Sequence, residues 1–175
     1  MSARRARLLS LVRAHLALDE DEDTKRLVAE LRRARRRGHL TRRELEAVCR
    51  WKSPRAIRHV RSNSPAAVVA ATGRALRMRD EEGRVRALLV LKGVSVPMAS
   101  SVLMLLDPRR YGAIDIRVWQ LLERGGHVTG NPAGVGLRVS HWLQFLAVLR
   151  GLSQTLAVTA RDAERALFDI HRRRQ

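Results

Sequence analysis

Residues 91–119 read LKGVSVPMASSVLMLLDPRRYGAIDIRVW, and the order of small, apolar and acidic residues in this stretch decides the fold. An apolar run ending at Leu91 closes one helix, and Gly93-Val94-Ser95 makes a tight turn. Gly93 allows a sharp turn of the backbone and a close approach to a neighbour. Pro97 pre-sets the first turn of a second helix, where its missing N–H costs nothing, and that helix runs to about Leu106. A break at Asp107-Pro108 follows, and Asp115 stands at the mouth of a third helix. Amides at the start of the second helix lack an intrahelical acceptor, so they point outward and attract anions, phosphate above all. The segment is therefore expected to be a hairpin of two helices, spanning 88–106, that grips a nucleic-acid backbone. Its candidate phosphate-binding residues are Lys92, Gly93, Val94, Ser95 and Val96.

Leu91 to Ser95, Ala99, and Tyr111-Gly112-Ala113-Ile114-Asp115-Ile116-Arg117-Val118-Trp119 together resemble the helix-hairpin-helix (HhH-GPD) superfamily of DNA glycosylases. That superfamily includes endonuclease III and the 8-oxoguanine and 3-methyladenine glycosylases. Its hairpin usually reads L-P-G-V-G, with an aspartate some way beyond it at the spacing Asp115 has here. Lys92 stands where the family usually has proline, and Ser95 where it has the second glycine. The resemblance is specific over 91–119 and extends from about Trp51 to Leu122. It implies an all-α, two-lobed unit over 1–175, with a helical barrel lobe at 20–110 ending in the hairpin. A second helical lobe would be made of 1–19 plus 111–175. DNA lies across the cleft between the lobes in that family, which puts Asp115 at their junction.

Composition points to the same class of partner. The chain has 175 residues, and 35 Lys and Arg against 17 Asp and Glu give a formal net charge of +18. Lysine occurs only at Lys25, Lys52 and Lys92, so the charge is carried by arginine, whose rigid fork pairs with phosphate. A densely anionic partner, double-stranded DNA in the resembled family, is the expectation. Hydrophobic content of 45% supports a real core and argues against global disorder. The single cysteine, Cys49, excludes an internal disulfide and a four-cysteine iron–sulfur cluster, and it reads as a buried structural thiol. The histidines show no metal-ligand spacing, so neither a metal nor a cofactor is expected. No run is long and apolar enough for a bilayer, and a cytoplasmic location without membrane contact, nucleoid-associated if the source is bacterial, is the simplest expectation. No protein partner is inferable.

In chain order, residues 2–18 show helical apolar periodicity. Acidic residues 19–23 open a second helix, which ends in the basic run RRARRRG with Gly38 as its cap. Thr41 with Glu44 is a capping box, and Ser53-Pro54 and Ser64-Pro65 each read as an N-cap followed by proline at the first helical position. Asp80 to Glu82 begins the helix entering the hairpin. Residues 127–139 read as a loop, Ser140 as the cap of a strongly apolar helix, and Thr159 as the start of the last one.

Cleaving an N-glycosidic bond develops positive charge on the sugar and negative charge on the departing base. A fixed carboxylate can stabilise that cation or activate water. By resemblance this is Asp115, which as an N-cap would also be held in place. Bifunctional members carry a nucleophilic lysine on the second hairpin helix; the corresponding place is Pro97 or Met98. A monofunctional enzyme is therefore expected, with Lys52 as a displaced alternative nucleophile. An extruded base needs aromatic faces and polar edges. With only 3% aromatics, Trp51, Lys52 and Tyr111 are the pocket candidates, while Trp119, Trp142 and Phe145 fit buried stripes. Two other readings compete: a DNA-binding module that kept the hairpin without catalysis, and an RNA-binding or scaffold protein resting on charge alone.

Overall fold

The computed structural model describes residues 3–16 and 19–173, and among these the regular structure is entirely helical. Ten α-helices run in order: α1 Ala3–Ala14, α2 Glu22–Arg37, α3 Arg42–Lys52, α4 Ile57–Arg61, α5 Pro65–Arg77, α6 Glu81–Leu89, α7 Val96–Leu106, α8 Ile116–Arg124, α9 Val139–Leu156 and α10 Ala160–Arg172. Residues 2, 17 and 18 of the expected first helix lie outside the described residues. The chain divides into two compact units, Glu20–Leu106 and Met1–Asp19 with Asp107–Gln175. The division falls after Leu106 rather than at the expected 110. Asp107 to Arg110 join the unit of the C-terminal helices because Arg161 N donates to Pro108 O (3.0 Å) and Ala160 N to Arg109 O (3.1 Å).

Short-range chemistry sets most helix starts. Thr41 and Glu44 form the reciprocal capping box, Ser64 accepts from Ala67 N, Asp80 from Gly83 N and Thr159 from Asp162 N. Asp21, inside the acidic run expected to open it, caps α2. Two expected caps are corrected. Ser53 makes no side-chain cap bond; its N–H donates to Cys49 O and closes α3, and a single 3-10 turn at Pro54–Ala56 separates it from the short α4. Ser140 lies inside α9, which begins at Val139 with Arg138 N donating to His141 Nδ1 (3.0 Å).

In the unit of residues 20–106, α7 is the axis. Every residue of it except Pro97 is buried, and α2, α3 and α6 pack around it. That is the expected environment of a helix apolar on all sides. Buried hydroxyls are satisfied locally, Ser100 and Ser101 both donating to Pro97 O at 2.8 Å. Thr72 of α5 donates to Val68 O and accepts from Leu40 N (2.9 Å), tying α5 to the segment before α3. Cys49 is buried, its thiol donates to Ser53 O, and burial, opposed by Arg50, pushes its pKa up. An inert structural thiol follows.

The other unit packs α10 against α1, α8 and α9 around Trp119, Trp142, Phe145 and Leu149, all fully buried. Asp169 fastens α1 to α10: His15 Nδ1 donates to its Oδ2 (2.8 Å), and Arg172 and Arg173 reach it at 2.8 Å each. The His15 hydrogen bond, reinforced by the two arginines against the opposing effect of burial, lowers its pKa from 3.8 to about 2. A depressed folded-state pKa means stabilisation present above the unfolded value and lost as pH falls through the folded one. Stability is therefore expected to drop between about pH 4 and pH 2. Asp169→Asn should flatten that limb of a urea-midpoint-against-pH curve; an unchanged acid limb would remove Asp169 as its source.

Candidate functional site

The hairpin turn joins α6 to α7. Gly93 has φ +79°, a region open to glycine and strained for other residues. What it approaches is the chain itself: a Cβ on Gly93 would lie 2.9 Å from His59 Cβ and 3.1 Å from Val60 N on α4. Asn63, buried just beyond α4, holds the turn from both sides. Its amide nitrogen donates to Lys92 O (2.9 Å) and Val60 O (2.9 Å), and its Oδ1 accepts from Lys92 N (2.9 Å). Val94 N donates to Leu91 O (3.2 Å) and so is used internally. The amides of Gly93, Ser95 and Val96 donate to no acceptor among the described residues, and Lys92 and Ser95 are exposed. Ser95 has negative φ, since the one described non-glycine residue with positive φ is Ala157. Serine is thus unstrained where the family pattern has glycine. The turn presents three donors and an exposed ammonium, a suitable cradle for one phosphate. Val94 is corrected from that set: its side chain is buried and its amide engaged.

Asp115 lies in the other unit. The preceding Tyr111 to Ile114 are buried outside any helix, seated on α9 and α10. A Cβ on Gly112 would lie 2.6 Å from Leu149 Cδ1 and 2.9 Å from Glu164 Cβ, so only glycine fits there. Glu164, itself buried and paired with Arg161, accepts from Ala113 N (3.3 Å). This clamp delivers Asp115 to the start of α8. Its Oδ1 accepts from Arg117 N (2.8 Å) and Val118 N (3.1 Å), satisfying two end amides of the helix. The remaining oxygen, Oδ2, accepts no hydrogen bond from the described residues, and the residue is half-buried. One oxygen is fixed and the other is presented, the geometry needed of a carboxylate that must act from a set position.

Loop 127–138, a glycine-rich connection expected only to be a loop, is fastened to the α8 start that Asp115 caps. Trp119 Nε1 donates to Asn131 O (2.7 Å) and Gln120 Nε2 to Ala133 O (2.8 Å). Gly134, at φ +67°, packs so closely on Ile116 that a Cβ would lie 3.2 Å from its backbone oxygen. Asn131 closes the loop on itself through Val135 O and Gly134 N. The asparagines at 63 and 131 are the supporting residues that sequence reasoning missed. Their one local signal is an Asn adjoining a Ser-Pro or Pro turn, which does not reveal a distant partner.

The pocket candidates divide. Tyr111 is corrected from a base platform to a core residue: it is buried, its ring stacks on Trp142 at 6.3 Å, and Arg110 and Arg150 lie over it at 5.5 Å each. Trp51 is half-buried, and its indole N–H donates to Thr24 Oγ1 (2.8 Å), which pins α3 to the capped start of α2. Lys52, half-buried, ends α3. Trp51 and Lys52 share the unit of the hairpin, whereas Tyr111 and Asp115 belong to the other. On α2, Arg32, Arg33 and Arg36 are exposed and pair with no carboxylate among the described residues, while Arg37 pairs with Glu44. Comparison with family models, curated proteins and solved structures returns no match.

Proposed function

We propose that this chain is a monofunctional DNA glycosylase that hydrolyses the bond between a modified base and deoxyribose in duplex DNA. The observation that carries the reading is Asp115, held by two helix-start amides through one oxygen with the other left to act. Water attacks the sugar carbon, the bonding electron pair departs with the base, and the base takes up a proton as it leaves. Asp115 stabilises the positive charge that develops on the sugar and accepts the proton of the attacking water. Gly93, Ser95 and Val96 amides with Lys92 bind a phosphate, and the unpaired arginines add salt-dependent affinity. No Schiff-base step is available on the second hairpin helix, because none of Val96–Leu106, Pro97 and Met98 included, carries a side-chain amine.

The second reading, a duplex-binding protein without catalysis, is favoured by the engagement of Tyr111 and Trp51 in packing and hydrogen bonding. One experiment separates them. Duplexes each carrying one modified base are incubated with the protein, then analysed with and without hot alkali. Strand breaks that need alkali are the expected result. Breaks without alkali would indicate lyase chemistry and direct attention to Lys52. Intact strands across a broad panel, with duplex binding retained, would sink the enzymatic reading.

A further inference from the structure

We propose that the cavity walled by α1, α8 and α10 is a binding site for a phosphomonoester carrying a planar or apolar body, a mononucleotide being the type. Asp115 is not among the residues that wall it. The cavity has a volume of about 400 Å³, within the range that accepts small organic ligands. Arg4 and Arg7 project into it from α1, Arg124 from the end of α8, His127 from the following turn and His171 from α10. Leu8, Leu11, Leu121 and Ile170 complete the wall with apolar surface, and no aspartate or glutamate lines it.

What sets this cluster apart from the general basicity is convergence: three guanidiniums and two imidazoles line one concavity that holds no carboxylate in its wall. Other convergent arginines meet on a carboxylate: Arg42, Arg50 and Arg61 on Glu46, and Arg172 and Arg173 on Asp169. Arg4, Arg7 and Arg124 pair with no carboxylate among the described residues, although they share one concavity. Arg4 is also seated: its guanidinium lies over Gly126, where a Cβ would come within 2.9 Å of Nη1. Gly126 has φ +67°, so that turn is shaped for glycine and leaves the arginine its place. Three guanidiniums around a cavity repel one another until an anion arrives, and their forks match phosphate oxygens.

The histidines respond to the same field. Burial, then the Arg4 charge, lowers the pKa of His127. Burial and the Arg124 charge lower that of His171, with Asp115 opposing and Arg117 assisting. A bound phosphate would reverse the arginine effect and favour protonation of both rings. Binding near neutral pH should therefore take up protons. The apolar wall supplies a surface for the body of the ligand, which inorganic phosphate would leave uncovered.

Calorimetric titration of the full chain with deoxyadenosine monophosphate at low salt tests this. One saturable site is expected, with deoxyadenosine and inorganic phosphate each at least about tenfold weaker. The observed heat should vary with the ionisation heat of the buffer, as proton uptake requires. Arg7→Gln with Arg124→Gln should weaken binding by about tenfold or more. Both side chains are exposed and without ion pairs, so the thermal midpoint should hold. Competition identifies the source: displacement by a 5′-phosphorylated strand but not by its unphosphorylated twin assigns a strand end, and no displacement assigns a free nucleotide. Absence of saturable binding, equal affinity for nucleoside and nucleotide, or an unaffected double variant would overturn the proposal.

Discussion

Asp115→Asn is expected to leave the fold and duplex binding in place and to reduce base excision by roughly 100-fold or more. The two roles of Asp115 separate in this substitution. As the cap of α8 it needs only an oxygen that accepts from Arg117 N and Val118 N. Asparagine supplies that oxygen and ranks with aspartate as an N-cap. As the acting group it needs a second oxygen that carries negative charge and accepts a proton, which an amide nitrogen cannot do. Asp115→Ala removes both and should cost about 1 kcal/mol of stability in addition. The pair of variants is therefore diagnostic. If Asn and Ala both lose stability and activity together, the loss is of structure; if Asn retains excision, Asp115 is a cap and the chemistry lies elsewhere.

The sequence was legible where one residue acts on its own neighbourhood. Thr41 with Glu44, Ser64, Asp80, Asp115 and Thr159 each bond an amide two or three residues along, so spacing alone reveals the helix start. The apolar surround of α7 was likewise readable from its composition. Long-range partners were not. Asn63 reaches Lys92 across 29 positions and His15 reaches Asp169 across 154, and no local pattern distinguishes either from a solvated side chain. Tyr111 illustrates the opposite error. Scarcity of aromatics made it valuable for a base pocket, yet its neighbour in space is Trp142, and packing used it first. Ser53 followed the Ser-Pro habit in sequence, but its N–H was already engaged in closing α3, which left a 3-10 turn where a regular helix start was expected.

Gly93→Ala should be the most damaging single-methyl change in the hairpin, while Ser95→Gly, which restores the family pattern two positions away, should bring no gain. At Gly93 two penalties add. An L-residue held at φ +79° pays roughly 1–2 kcal/mol, and the new methyl meets His59 Cβ and the Val60 backbone, where overpacking costs roughly 1–3 kcal/mol. Val60 N cannot move aside without shifting α4, which Asn63 ties to the same turn. A loss of about 3 kcal/mol lowers the melting temperature of a chain of this size by roughly 10 °C. Misplacement of the Gly93, Ser95 and Val96 amides should also weaken duplex binding and reduce its salt dependence. At Ser95 the backbone is already in a region any residue adopts, so glycine relieves nothing and adds freedom to the unfolded chain, at a cost of about 0.5–1 kcal/mol. Thermal melts of the two variants decide the matter. A stable Gly93→Ala chain would mean that α4 yields to the turn, and a stabilised Ser95→Gly chain would mean that the second position of the hairpin is strained after all.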